Sequence, residues 1–152
     1  MRHKNDVMSK KQITITGIRD SDKIKIQKAL RLLEKKSPEH FAFVTKYIDN
    51  IHADPDKPSR VDSSQRRFII GKRTLKETRW WIAAALVHEA KHVEFSQPGG
   101  KRVTQDSEEK ECLKAMFEAG RKIFKLWRFF YGEPKTYYQT KWWKTKPKAQ
   151  DW

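Results

Sequence analysis

The chain is short of cysteine, of acid and of long apolar runs, and each shortage removes a class of answer. A single cysteine, Cys112, excludes an internal disulfide framework. No stretch of about 18 apolar residues exists, so no membrane-spanning helix is expected. The opening "MRHKNDVMSKKQ" is basic, but no apolar segment follows it as in a secretory signal, so the expected setting is cytoplasmic. With 6 glycines and 6 prolines among 152 residues, nothing resembles a low-complexity linker. Asp and Glu number 19 against 34 Lys and Arg, a net charge of +15. Such a surplus favours polyanionic partners, nucleic acid or an anionic membrane surface among them, but does not bear on fold.

What is present suits one domain with a real core. Hydrophobic residues make up 37% and aromatics 12%, too many for a disordered basic tail. "QITITGI" alternates like a short strand. "SDKIKIQKALRLLEKK" carries Ile26, Leu30 and Leu33 at helical spacing, and "SPEHFAFVTKYIDNI" reads as a second helix with Ser37 as N-cap, Pro38 at its first position and Phe41, Val44, Ile48 and Ile51 as its buried stripe. "HADPDKPSRVDSSQ" reads as a loop and "RRFIIGKRT" as a strand. Thr74 and Glu77 have the spacing of a capping box that would open a helix from about Leu75 to Phe95. "TQDSEEKECLKAMFEAGRKIFKLWRFF" is the longest helical pattern, with Leu113, Met116, Gly120, Ile123 and Trp127 on one face. The expected fold is α+β and mostly helical: a small mixed sheet packed on the central helix, followed by a long helix bearing glutamates. One domain over 1–134 is expected, with a basic aromatic tail over 135–152. The tail's "YYQTKWWKTK" could stack bases, lie on a membrane, or pack its rings back on the domain.

Within the central helix, "VHEAKH" places His88 and His92 four residues apart with Glu89 beside the first. Residues four apart on a helix lie one above the other, about 5–6 Å between Cβ atoms, so two imidazoles can reach one ion. Glu89 projects to the side, where it can take a proton from water held by the ion. H-E-x-x-H on a helix therefore reads as a zinc site with a general base. A coincidental pair of helical histidines is the competing reading, but the stretch "WWIAAALVHEA" is apolar enough to be buried, and buried histidines need partners. A catalytic zinc takes a third protein ligand. His3, His40 and His52 all precede the motif, Phe95 and Pro98 stand where an extended motif would continue, and so a downstream ligand must be a carboxylate. Asp106, Glu108, Glu109 and Glu111 are the candidates.

"VHEAKH" followed after a turn by "EEKEC" resembles the minimal gluzincin metallopeptidases, whose third ligand is a glutamate on the next helix; the resemblance spans about residues 66 to 130. It puts Glu109 on the ligand position and Cys112 in the place of a small residue. Helical spacing agrees, since Glu109 shares a face with Cys112, Leu113 and Met116. Glu108 and Glu111 remain alternative third ligands, and a capping role for Asp106 and Glu109 would also explain acids at a helix start. Leu113 stands where related families often carry Asp or Asn to support a histidine, so that support must come from elsewhere. The resemblance implies a zinc cofactor, a peptide or protein substrate held along a sheet edge formed by "RRFIIGKRT", and hydrolysis by metal-bound water with Glu89 as general base. It also implies an oxyanion donor, for which Tyr131, Tyr137, Tyr138 and His52 are candidates. A basic nucleic-acid- or membrane-binding protein with a structural or vestigial zinc site is the alternative.

Overall fold

A computed structural model of the chain describes residues 11–135. The tail beyond Lys135, including Tyr137 and Tyr138, lies outside the described residues. The elements run β1 (Thr14–Gly17), α1 (Asp20–Lys36), α2 (Pro38–Tyr47), β2 (Asn50–Ala53), β3 (Arg60–Asp62), β4 (Arg67–Ile70), α3 (Lys72–Lys76), α4 (Arg79–Ser96), α5 (Gln105–Ile123) and α6 (Trp127–Tyr131). The fold is α+β and mostly helical. Among the described residues no helix is long and apolar enough to cross a membrane.

The four strands form one mixed sheet in the order β1-β2-β4-β3. β1 pairs in parallel with β2 and β2 in parallel with β4, while β3 runs antiparallel to β4. β4 is therefore an interior strand, which corrects the expectation that "RRFIIGKRT" forms an edge. The reason lies in its composition. Phe68, Ile69 and Ile70 are all buried, and a contiguous apolar run is satisfied only by a strand covered on both faces. The sheet's two edges are β1 and β3; the one beside β4 is β3, whose "RVD" is short and polar, as edge strands usually are. Its hairpin to β4 turns on Asp62, whose Oδ1 accepts from the amides of Ser64 and Gln65, and on Arg66, which takes a left-handed φ of 51°.

Three helix boundaries also differ from expectation. The apolar stripe ending in Ile51 is not one helix. α2 stops at Tyr47, and Ile51 is buried on β2 instead. A short apolar run can satisfy either period, and the burial of Ile48 and Ile51 is common to both. Thr74 does not cap the central helix. Its hydroxyl lies 2.8 Å from that of Ser59, which in turn accepts from the Gly71 amide at 2.8 Å. These contacts clamp the 57–59 loop against the start of α3, and they require Gly71: a Cβ there would meet the Lys57 carbonyl oxygen at 2.2 Å. The central helix opens one turn later, at Thr78, whose hydroxyl accepts from the Trp81 amide at 3.2 Å. Likewise Thr104, not Asp106, caps α5, accepting from the Ser107 amide at 3.3 Å.

α4 is the centre of the molecule, with an unbroken buried run from Trp81 to Ala90. One side of it, Ile82, Ala83, Leu86, Val87, Ala90 and Val93, joins the main core with α1, α2 and the sheet. The other, Trp81, Ala84 and Ala85, meets Leu113, Met116 and Phe117 of α5 and Trp127 of α6. The alanines let the helices approach closely. Gly120 does the same for α6, because a Cβ there would lie 2.4 Å from the Trp127 ring. The long helical pattern breaks at Phe124 so that Trp127 can fold back over this glycine.

Candidate metal centre

The face of α4 that carries Trp81, Ala84 and Ala85 continues, one and two turns on, to His88 and His92. α5 lies against that face, so its first inward residues meet the histidines. Of the four candidate acids, Glu109 is the one fully buried, while Asp106 and Glu108 are half-buried and Glu111 is exposed. His88, Glu89, His92 and Glu109 are 0%, 0%, 8% and 1% exposed, so the cluster is interior, not a surface patch.

Two imidazole nitrogens and both oxygens of one carboxylate converge, His88 facing Oε2 of Glu109 and His92 facing Oε1. His88 Nε2 and His92 Nε2 lie 3.1 Å apart. The Glu109 carboxylate stands 3.4 Å from His88 Nε2 and 3.1 Å from His92 Nε2. Donors bound tetrahedrally at about 2.0–2.2 Å, as nitrogen and carboxylate oxygen bind zinc, are separated by roughly 3.3–3.5 Å. Each observed separation comes within a few tenths of an ångström of that range. Cys112, one turn after Glu109, adds a fourth possible donor: His88, His92 and Cys112 hold ligand atoms within 4.8 Å of one another. Between Glu109 and Cys112 as the third ligand, the carboxylate has the closer fit. It is also ionised, whereas burial pushes the Cys112 thiol up to about 11.

The partner that spacing could not find for the histidines is Glu108. Its Oε1 lies 2.6 Å from His92 Nδ1. A carboxylate only accepts, so Nδ1–H donates, and Nε2 is left to face the other donors. Glu108 thus gives His92 the carboxylate support that the apolar Leu113 cannot. The signal was in the sequence, as an acid directly before the candidate ligand, but which of two adjacent acids points inward depends on where α5 begins. Glu111 is turned out of the cluster.

The titration behaviour follows from burial and these contacts. Burial pushes His88 down to about 4, with the charge of His92 adding to the effect and the Glu109 hydrogen bond opposing it. For His92 burial acts in the same direction, but hydrogen bonds with Cys112, Glu108 and Glu109 outweigh it and raise the ring well above its ordinary value. Glu109, which burial alone would raise, is brought down to about 2 by hydrogen bonds from His88 and His92. Without a metal, one imidazolium faces two carboxylates. A divalent cation suits that charge balance.

Other predicted participants stand elsewhere. The Tyr131 hydroxyl is 3.0 Å from that of Thr78 at the start of α4, and its ring packs at a tilt against Trp81 and Trp127. Ten helical residues separate Thr78 from His88, about 15 Å along the axis, so Tyr131 is not brought to the cluster. His52 sits on β2, with Nδ1 2.9 Å from the Thr16 hydroxyl. Lys91 is half-buried, not fully solvent-facing: it pairs with Glu94 and lies over the rings of Phe43 and Phe95. A surface groove of about 530 Å³ between Tyr47, Phe95, Val103 and Glu111 is lined by none of the cluster residues. Comparison with protein-family models, with curated proteins and with solved structures finds no match.

Proposed function

We propose that this protein is a zinc-dependent metallopeptidase in which His88, His92 and Glu109 hold the ion and Glu89 is the general base. One observation carries the reading: donor atoms from two helices stand 3.1–3.4 Å apart, within a few tenths of an ångström of tetrahedral zinc separations, with a glutamate next in sequence to the first histidine. Zinc bound there would acidify a water and polarise a carbonyl. The remaining chemistry belongs to the chain. Glu89, about 100° around α4 from His88, takes the water's proton and returns it to the leaving amine. It is fully buried on the same helix as the two histidines. Glu108 holds the His92 ring in its donor tautomer. The free edge of β3 offers main-chain groups to an extended peptide. A cytoplasmic setting fits the single, unpaired cysteine.

The test compares wild type with Glu89→Gln. The variant should keep about one zinc per chain and lose peptide-library hydrolysis by roughly 10²–10⁴-fold, the range general-base catalysis supplies. Zinc-loaded wild type no faster than the variant on any peptide overturns the chemistry. Wild type that holds no zinc overturns the centre itself.

A second reading is favoured by the burial of all four residues. A metal so enclosed could serve as a structural pin between α4 and α5 in a basic protein whose work is binding polyanions. Under that reading Glu89→Gln changes nothing, and affinity for nucleic acid falls steeply with salt.

A further inference from the structure

We infer that Cys112 is a fourth protein donor to the metal of His88, His92 and Glu109, so that the resting site is closed. The inference rests on the metal centre proposed above but not on peptide hydrolysis. Small buried cysteines are usually plain packing residues. This one is not placed like them. Its sulfur and the donor atoms of both histidines all lie within 4.8 Å of one another, and it is fully buried one helical turn after Glu109.

The helix geometry permits joint ligation. Glu109 and Cys112 are three apart on α5, the spacing at which one helix supplies two ligands to a single metal site in carboxylate-rich bundles. A thiolate at about 2.3 Å and an imidazole at about 2.0 Å on a tetrahedral ion are roughly 3.5 Å apart. The Cys112 sulfur is within 4.8 Å of the histidine donors, so closing each separation by no more than about 1.3 Å completes the shell. On loading, the Cys112 S–H bond breaks, the S–metal bond forms and the proton leaves to solvent. In reverse, the sulfur recovers a proton and water takes the fourth position, which is the position that hydrolysis requires. A borderline-soft donor set of this kind also selects zinc, cobalt or cadmium over magnesium and calcium.

The experiment uses the full chain loaded with zinc and, separately, with Co(II). Zinc-edge X-ray absorption of wild type should show one sulfur at about 2.3 Å beside nitrogen and oxygen at about 2.0–2.1 Å. The cobalt form should show a thiolate-to-metal charge-transfer band in the near ultraviolet. Cys112→Ser, with Cys112→Ala as a second variant should the first fail to fold, should lose that band entirely while still holding about one metal per chain. A wild-type shell of nitrogen and oxygen alone overturns the inference and leaves the peptidase reading standing. Failure of wild type to bind either metal overturns both.

Discussion

Removing the metal should lower the melting temperature by an amount the geometry lets us work out. The ligands come from α4 and α5, and the three closest donors already stand 3.1–3.4 Å apart. Little of the binding free energy is therefore diverted into reorganising the chain. Zinc binds the folded state, in which these atoms converge, and far less the unfolded chain, in which they do not. At free zinc a thousandfold above its dissociation constant, mass action adds about 4 kcal/mol to stability. For a chain of this size each kcal/mol moves the midpoint by roughly 2–4 °C, so a strong chelator should lower it by roughly 8–16 °C. Calorimetry or circular dichroism on zinc-loaded and chelated protein measures the shift. Glu109→Gln keeps the shape of the side chain but loses its charge, so most of the zinc-dependent shift should vanish. A midpoint indifferent to zinc, or a Glu109→Gln variant that responds as wild type does, refutes the reasoning.

Glu108→Gln should weaken zinc binding 10–100-fold without abolishing it, as loss of a partner to a ligating histidine does, while Glu111→Gln should leave it unchanged; competition with a chromogenic chelator distinguishes the three acids. Below the raised His92 value zinc affinity should rise with pH by about tenfold per unit for the proton that ring sheds on binding, and by a further tenfold per unit for the proton that Cys112 sheds when it ligates. In the metal-free protein the sign is opposite: His92 is raised on folding, so its contribution is fully present below about 6.5 and is lost as pH rises through the folded value, which urea titrations across pH read directly. Gly120→Ala should cost about 1–3 kcal/mol by driving a methyl into the Trp127 ring, visible as a lower denaturation midpoint at unchanged slope.

Elements whose period was long and unambiguous could be read from residues alone. α1 and the inward stripe of α5 were such cases, since many turns repeat the same face. The histidine pair was legible for the same reason, because four-residue spacing fixes adjacency on any helix. Short elements were not. β3 hides in a stretch of Pro, Asp and Ser, β2 straddles the end of an apparent helical stripe and the start of that stretch, and three- or four-residue strands acquire their identity from neighbours far away in the chain. The two misplaced caps have a common cause. Thr74 and Asp106 have acceptable spacing, but Ser59 claims the first, and Thr104 starts α5 early enough to displace the second. The roles of Glu108 and Glu109 were underdetermined because adjacent helical residues differ by about 100°, so a small uncertainty in the helix's position decides which one points inward. Cys112 was legible only as a small residue, because nothing in a spacing rule says how near a sulfur comes to a ring across a helix interface.

All the donors come from two successive helices, whereas the parallel strand pairs join residues as distant as Thr14 and Asn50. This difference in sequence separation bears on the order of folding. Closing α4 on α5 needs only the short connection from Gln97 to Thr104 to turn, whereas the sheet must wait for long loops to close. A helical hairpin that pairs early can capture its ion before the sheet is registered. The ion then acts on the folding barrier itself, so zinc should quicken the approach to the native state more than it slows departure from it.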